Sequence, residues 1–102
     1  MVRASSEPER NIEARVVRWA ERRAIPHLKL NVMFRRAWPD RVFWIPGGRP
    51  ALLEFKRRGK QPTPLQAHTI KKLKALGYDV CWFDNSEKAI RYLEERCEAA
   101  RT

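Results

Sequence analysis

Apolar residues recur along the chain in two rhythms, and the switches between them mark out seven elements. Ile12, Val16, Trp19 and Ala20 repeat at helical spacing, with Val17 and Ala24 widening the same face. The spacing predicts a helix that begins near Ser6, where Ser6 and Glu9 fit a capping box, and ends before Pro26. Leu28, Leu30, Val32 and Phe34 then alternate as one face of a strand. Arg41–Ile45 and Ala51–Phe55 read as two more strands around Pro46-Gly47-Gly48-Arg49, a hairpin signal. A second helix is expected with Thr63 as N-cap and Pro64 at its first position. Its buried stripe would be Leu65, Thr69, Ile70, Leu73 and Leu76, and Gly77 suits its C-terminal end. Tyr78–Phe83 reads as a fourth strand. Asn85–Cys97 reads as a last helix, capped by Ser86 and burying Ala89, Ile90, Leu93 and Cys97.

The order is therefore α-β-β-β-α-β-α. It predicts an α/β fold with a mixed four-stranded sheet flanked by helices. The first three strands form an antiparallel meander, and the helix from Pro64 is long enough to cross over to a parallel fourth strand. A chain of 102 residues, 43% hydrophobic, supports one core and one domain over 1–102. It has neither eighteen consecutive apolar residues nor a signal-like segment, so a soluble, cytoplasmic protein is expected. Cys81 and Cys97 fall in no metal-binding spacing and read as free thiols.

Five polar residues interrupt these patterns. Glu54 and Lys56 stand two apart on a strand, so both point to one face, about 7 Å apart, while Phe55 points into the core. Such a pair can hold a divalent cation through the carboxylate and an ammonium beside water or phosphate; a strand end whose charges reach solvent is the plainer alternative. Asp40 nears Glu54 across the hairpin, and the loop length decides how. A two-residue Gly47-Gly48 loop pairs Arg41 with Glu54 and turns Asp40 to the other face. A three-residue loop, with Pro46 opening a type I turn and Gly48 in the left-handed bulge position, pairs Asp40 with Glu54. Two facing carboxylates repel unless a cation lies between them. Glu13 falls inside the apolar arc of the first helix, which suits a place beside a cation or a pairing with a core-facing arginine. Gln66 falls inside the stripe of the second helix, in its first turn, where its amide could orient water or phosphate or serve the helix end.

The formal net charge of +10, from 22 Lys and Arg against 12 Asp and Glu, points to a polyanionic partner, nucleic acid before membrane. Arg57, Arg58 and Lys60 follow Lys56, and Arg35, Arg36 and Arg41 surround Asp40. These six are the candidate phosphate-binding residues, since each cation laid on a nucleic-acid backbone releases counterions.

Taken in order, "PDR…PGGR…LLEFKRRGKQPTPLQ…LKALGYDV", preceded by the glutamate of "NIEARVVRW", resembles the virus-type replication-repair nuclease (VRR-NUC) domain. This is a branch of the PD-(D/E)xK nucleases that includes the catalytic domain of the Fanconi-associated nuclease. The match runs nearly the whole chain, as in a stand-alone phage or bacterial member. The resemblance implies a restriction-endonuclease-like core and a metal-dependent phosphodiester hydrolase. It implies that Asp40, Glu54 and Glu13 hold or support Mg2+ or Mn2+ with the Phe55 carbonyl, that Lys56 acts on the attacking water, and that Gln66 assists on water or phosphate.

The expected function is thus a structure-selective endonuclease on branched DNA, with four-way (Holliday) junctions favoured. Flap or fork cutting by a monomer, a non-catalytic nucleic-acid-binding module on a nuclease fold, and a small basic structural protein are the alternatives. No base-reading motif stands out, so recognition of shape and backbone is expected. Cutting a junction symmetrically needs two catalytic clusters, which predicts a homodimer. Trp38, Trp44 and Trp82 are candidate interface aromatics, since they exceed what a small core readily hides.

Overall fold

The structure is a computed structural model that describes residues 8–30 and 37–101. Its elements are α1 (Glu9–Arg22), β1 (His27–Lys29), β2 (Arg41–Trp44), β3 (Pro50–Phe55), α2 (Pro64–Ala75), β4 (Asp79–Phe83) and α3 (Ser86–Arg101). The strands lie in sequence order in one sheet; β1–β2 and β2–β3 pair antiparallel and β3–β4 parallel, joined by α2. The expected element order and mixed sheet are what the chain forms.

The alternation along β2 and β3 feeds two cores. Phe43, Ile45, Ala51, Leu53 and Phe55 point to one face and pack with Ile12, Val16, Trp19 and Ala20 of α1 and Ala89 and Leu93 of α3. Leu52, Val80 and Trp82 point to the other and pack under Ile70 and Leu73 of α2. Fully buried side chains such as Phe43, Phe55 and Leu53 each contribute roughly 1.5–3 kcal/mol by leaving water. No helix among the described residues is long and apolar enough to cross a membrane. Cys81 and Cys97 are free, part-buried thiols.

Several boundaries differ from the expected ones for identifiable reasons. Helix α1 begins at Glu9, after an extended Pro8 that has no side chain to cap with; the capping box on Ser6 lies outside the described residues. Ala24 does not widen the apolar face. It sits past the helix end at φ +55, exposed, in a Schellman turn where Ile25 N–H donates to Ala20 and Ala24 N–H to Glu21. Strand β1 is short; His27, half-buried, and Lys29, exposed, lie on the α1 side of the sheet in register with Phe43 and Arg41. Leu28 is 57% exposed, because it faces the α2 side while α2 packs on β4, at the far edge of the sheet. Val32 and Phe34 lie outside the described residues. Helix α2 buries only Ile70 and Leu73; Leu65 and Leu76 are each 64% exposed because the helix rides on just β3 and β4. Helix α3 is capped by Asn85, whose Oδ1 accepts from Lys88 N–H at 2.9 Å, while Ser86 is its first residue and is buried. Trp82 packs beneath α2, whereas Trp38 and Trp44 remain partly exposed.

Candidate active site

The β2–β3 register decides the loop question. Arg41 pairs with Leu53 and Trp44 with Pro50, so one step further Asp40 stands opposite Glu54. The three-residue loop is therefore the one formed, but its turn differs from expectation. Gly47, at φ +71, takes the left-handed position after Pro46, and Gly48 N–H closes on Ile45 O at 3.0 Å. This is the type II arrangement, with proline first and glycine second of the central residues.

Asp40 and Glu54 are 4% and 2% exposed. Asp40 Oδ2 accepts from the Phe55 N–H at 2.7 Å, so a side chain terminates the β2–β3 ladder where β2 begins. Lys56 Nζ lies 3.8 Å from Glu54 Oε2 and donates to Gln66 Oε1 at 3.1 Å. That oxygen also accepts from Thr63 N–H at 2.9 Å, while Thr63 Oγ1 accepts from Gln66 N–H at 3.2 Å. Gln66 thus closes the capping box of α2 and holds the lysine with the same oxygen. Because its oxygen is used twice, its amide N–H2 is the group left to donate outward.

Burial dominates the electrostatics. It pushes the Glu54 carboxyl up to about 8, with Asp40 adding to the rise and Lys56 opposing it. It pushes the Asp40 carboxyl up to about 6, opposed by the Phe55 N–H and reinforced by Glu13 and Glu9, with Lys29 opposing in turn. Four acids therefore act on one end of the sheet, two of them buried against each other.

Glu13 is buried on α1 and engaged elsewhere. Its Oε2 accepts from Arg41 Nε at 2.6 Å and from Lys29 Nζ at 3.3 Å. Arg41 Nη1 lies 3.0 Å from His27 Nδ1, and His27 Nε2 lies 3.5 Å from Glu21. Guanidinium can only donate, so Nδ1 is the acceptor and Nε2 is the ring nitrogen turned to Glu21. Arg41, a candidate phosphate contact in the sequence, instead spends its side chain on Glu13 and His27 and is mostly buried. Arg57, Arg58 and Lys60 occupy the loop between β3 and α2, tied down by Gly59 N–H to Asp84 Oδ2 at 3.1 Å. Arg35 and Arg36 lie outside the described residues. Lys29, His27 and Asp84 were missed. The cue for the first two was a polar pair, His27 and Lys29, alternating with Leu28 in what reads as an apolar strand.

Among the described residues no three acidic, histidine or cysteine side chains converge in a ready-made metal cage. Asp40 and Glu54 nevertheless fit Mg2+, which is commonly bound by one or two carboxylates and keeps most of its waters. Their raised carboxyls mark a place where positive charge is wanted. Glu13 engages Arg41 and Lys29 through Oε2.

Comparison with known proteins gives a consistent picture. No family model matches the chain. A protein of Acyrthosiphon pisum secondary endosymbiont phage 1, named "Putative nuclease p44", is 38% identical over 53 residues; the match takes in 52% of this chain and only 57% of that relative's length. A solved "VRR_NUC domain protein" superposes with a TM-score of 0.71 over 91% of this chain and 90% of its own, at 20% identity. The chain therefore has the fold of a VRR_NUC domain protein, with Asp40, Glu54 and Lys56 gathered at one end of its sheet.

Proposed function

We propose that the protein is a metal-dependent, structure-selective endonuclease of the VRR-NUC type that hydrolyses phosphodiester bonds in branched DNA, four-way junctions in particular. The reading rests above all on the facing, buried Asp40 and Glu54 with Lys56 held beside them. A purely structural role would leave two acids buried against each other at a cost of several kcal/mol or neutralised. The similarity to a phage protein named as a nuclease and the VRR_NUC fold support it.

In this reading Asp40 and Glu54, with the Phe55 carbonyl, hold Mg2+ or Mn2+, which supplies charge neutralisation at the scissile phosphate and a more acidic attacking water. Lys56 is fixed between Glu54 and Gln66 and directs its remaining N–H bonds at water and the phosphoryl oxygens. Gln66 orients Lys56 through its oxygen and donates its amide to a phosphate oxygen. Glu13 acts as a positioning residue that holds Arg41 and Lys29 beside Asp40 and adds negative field there. Arg35, Arg36, Arg57, Arg58 and Lys60 receive the DNA backbone. A single nuclease domain in the cytoplasm, working as a two-fold homodimer, completes the reading.

The test is cleavage of a panel: four-way junction, flap, fork, single strand and linear duplex, each with Mg2+, Mn2+ or chelator. Lys56→Ala should lose at least about a hundredfold in cleavage, the scale of removing a positioned proton-transfer group, while DNA affinity changes little. Full turnover by the purified variant would reject the role given to Lys56. Cutting in chelator would reject the metal.

A further inference from the structure

Charge is distributed unevenly in this chain. Between Glu54 and Asp79 there are seven Lys and Arg and not one Asp or Glu, so this stretch carries +7 of the net +10. Four of the seven are Lys56 and the loop residues Arg57, Arg58 and Lys60. The other three, Lys71, Lys72 and Lys74, are on α2, and all three are exposed. Helices α1 and α3 interleave arginines with glutamates; α2 has no acid anywhere in PLQAHTIKKLKA. None of the three lysines has a carboxylate within 4.0 Å among the described residues, whereas Arg96 is held by Asp79 and Arg101 by Glu98. Lys72 and Lys74, in the last turn, suit the helix dipole, but the dipole would equally favour an acid in the first turn and there is none, and Lys71 and Lys74 form a like-charge pair three residues apart, so folding does not account for the whole cluster.

We propose that the exposed face of α2 is a second phosphate-binding surface, a track for the backbone of a DNA duplex arm leading away from the cleavage centre. The proposal rests on the nuclease reading above and gives that site a direction. Helix α2 starts at the centre, where Gln66 holds Lys56, and runs back along the sheet to Gly77, which accepts from Arg49 near the hairpin tip. At 1.5 Å per residue, Lys71 to Lys74 stand about 8–12 Å beyond Gln66. With 3.4 Å between successive phosphates measured along a duplex axis, they meet phosphates about two to four base pairs from the scissile bond. The occupant is polyanionic by charge complementarity, and its register is set by a helix whose first turn belongs to the active site.

The experiment compares the full chain with a Lys71→Gln/Lys72→Gln/Lys74→Gln variant. Binding to branched DNA is measured by fluorescence anisotropy in chelator, so that no cutting occurs, over a series of salt concentrations and arm lengths. A second variant, Arg18→Gln/Lys88→Gln/Arg91→Gln, removes equal charge from the opposite layer, and thermal melts verify that both fold. The α2 variant should lose close to tenfold in affinity per lost contact at 0.1 M salt, and its salt slope should flatten by about 0.9 per contact. It should also become insensitive to shortening one arm below about four base pairs, while the opposite-layer variant keeps the original slope and arm dependence. Equal effects of the two variants would overturn the proposal, since only the diffuse field would then matter. So would an α2 variant that keeps the original slope, or one that loses only attachment to vesicles containing phosphatidylserine. If the unmodified chain binds no DNA at all, the nuclease reading falls first; if it binds and cuts while the α2 variant behaves identically, only the α2 track falls.

Discussion

Asp40 and Glu54 face each other at a place where neither can ionise cheaply. Folding raises Glu54 from 4.5 to about 8 and Asp40 from 3.8 to about 6. Over those intervals the folded chain binds more protons than the unfolded one, so stability falls as pH rises. The metal-free protein should therefore melt at progressively lower temperature from about pH 4 to about pH 8. Glu54→Gln should flatten the upper half of that decline, a result read by scanning calorimetry across pH. Asp40→Asn keeps an oxygen for the Phe55 N–H and should be at least as stable as the parent at pH 8 without metal. Adding Mg2+ at pH 8 should raise the parent's melting temperature and leave both variants unmoved. A variant that unfolds instead would make these acids structural. Glu13 is a different case: it accepts from two cations, one largely buried. Glu13→Gln should cost about 1–3 kcal/mol by leaving Arg41 under-compensated, measured by urea denaturation.

Elements deliver these residues through their ends. The hairpin turn sets the parity that puts Asp40 opposite Glu54, and the first turn of α2 hands Gln66 to Lys56. Capping and catalysis can be separated here. Thr63→Ala should lose about 1 kcal/mol of stability from the cap with modest loss of cleavage, whereas Gln66→Ala should match it in stability and lose far more in rate. At the end of α1, Ala24 holds a left-handed φ of +55 that suits glycine. Ala24→Gly should stabilise by about 1 kcal/mol, seen as a higher urea midpoint with unchanged slope. The elements were legible because their periods and punctuation are local: Thr63-Pro64, Gly77 and the Pro46-Gly47-Gly48 loop all fall at element ends. Less legible was how widely each face is covered. Leu65 and Leu76 continue the apolar period of α2, yet no strand lies beneath them, and no local pattern carries that information.

At the scale of the molecule, one end of the sheet gathers the acids, and α2 with its preceding loop gathers the unmatched cations. Asp40, Glu54, Lys56 and Gln66 were legible as broken patterns, since a buried carboxylate or amide on an apolar face is costly without a task. A pairing of Glu13 with a core-facing arginine was one of its two readings and is what forms, but that the arginine is Arg41 was not legible, because it depends on how α1 crosses the sheet. Trp38 and Trp44 remain partly exposed, as an interface would use them. Sedimentation at micromolar concentration should give a two-fold dimer; a monomer that nicks flaps and leaves junctions whole would favour the simpler alternative.

The Phe55 amide hydrogen is bonded to the Asp40 carboxylate at the point where the β2–β3 ladder ends. Its exchange with deuterium is therefore slowed by an acid whose charge changes with pH and, on the proposed reading, whose surroundings change when metal binds. Neighbouring amides bonded within the ladder lack that dependence. In exchange measurements the hairpin should open from the Asp40–Glu54 end when metal is absent, and Phe55 should gain protection selectively when metal binds. A single backbone proton would then report occupancy of the centre without any substrate present.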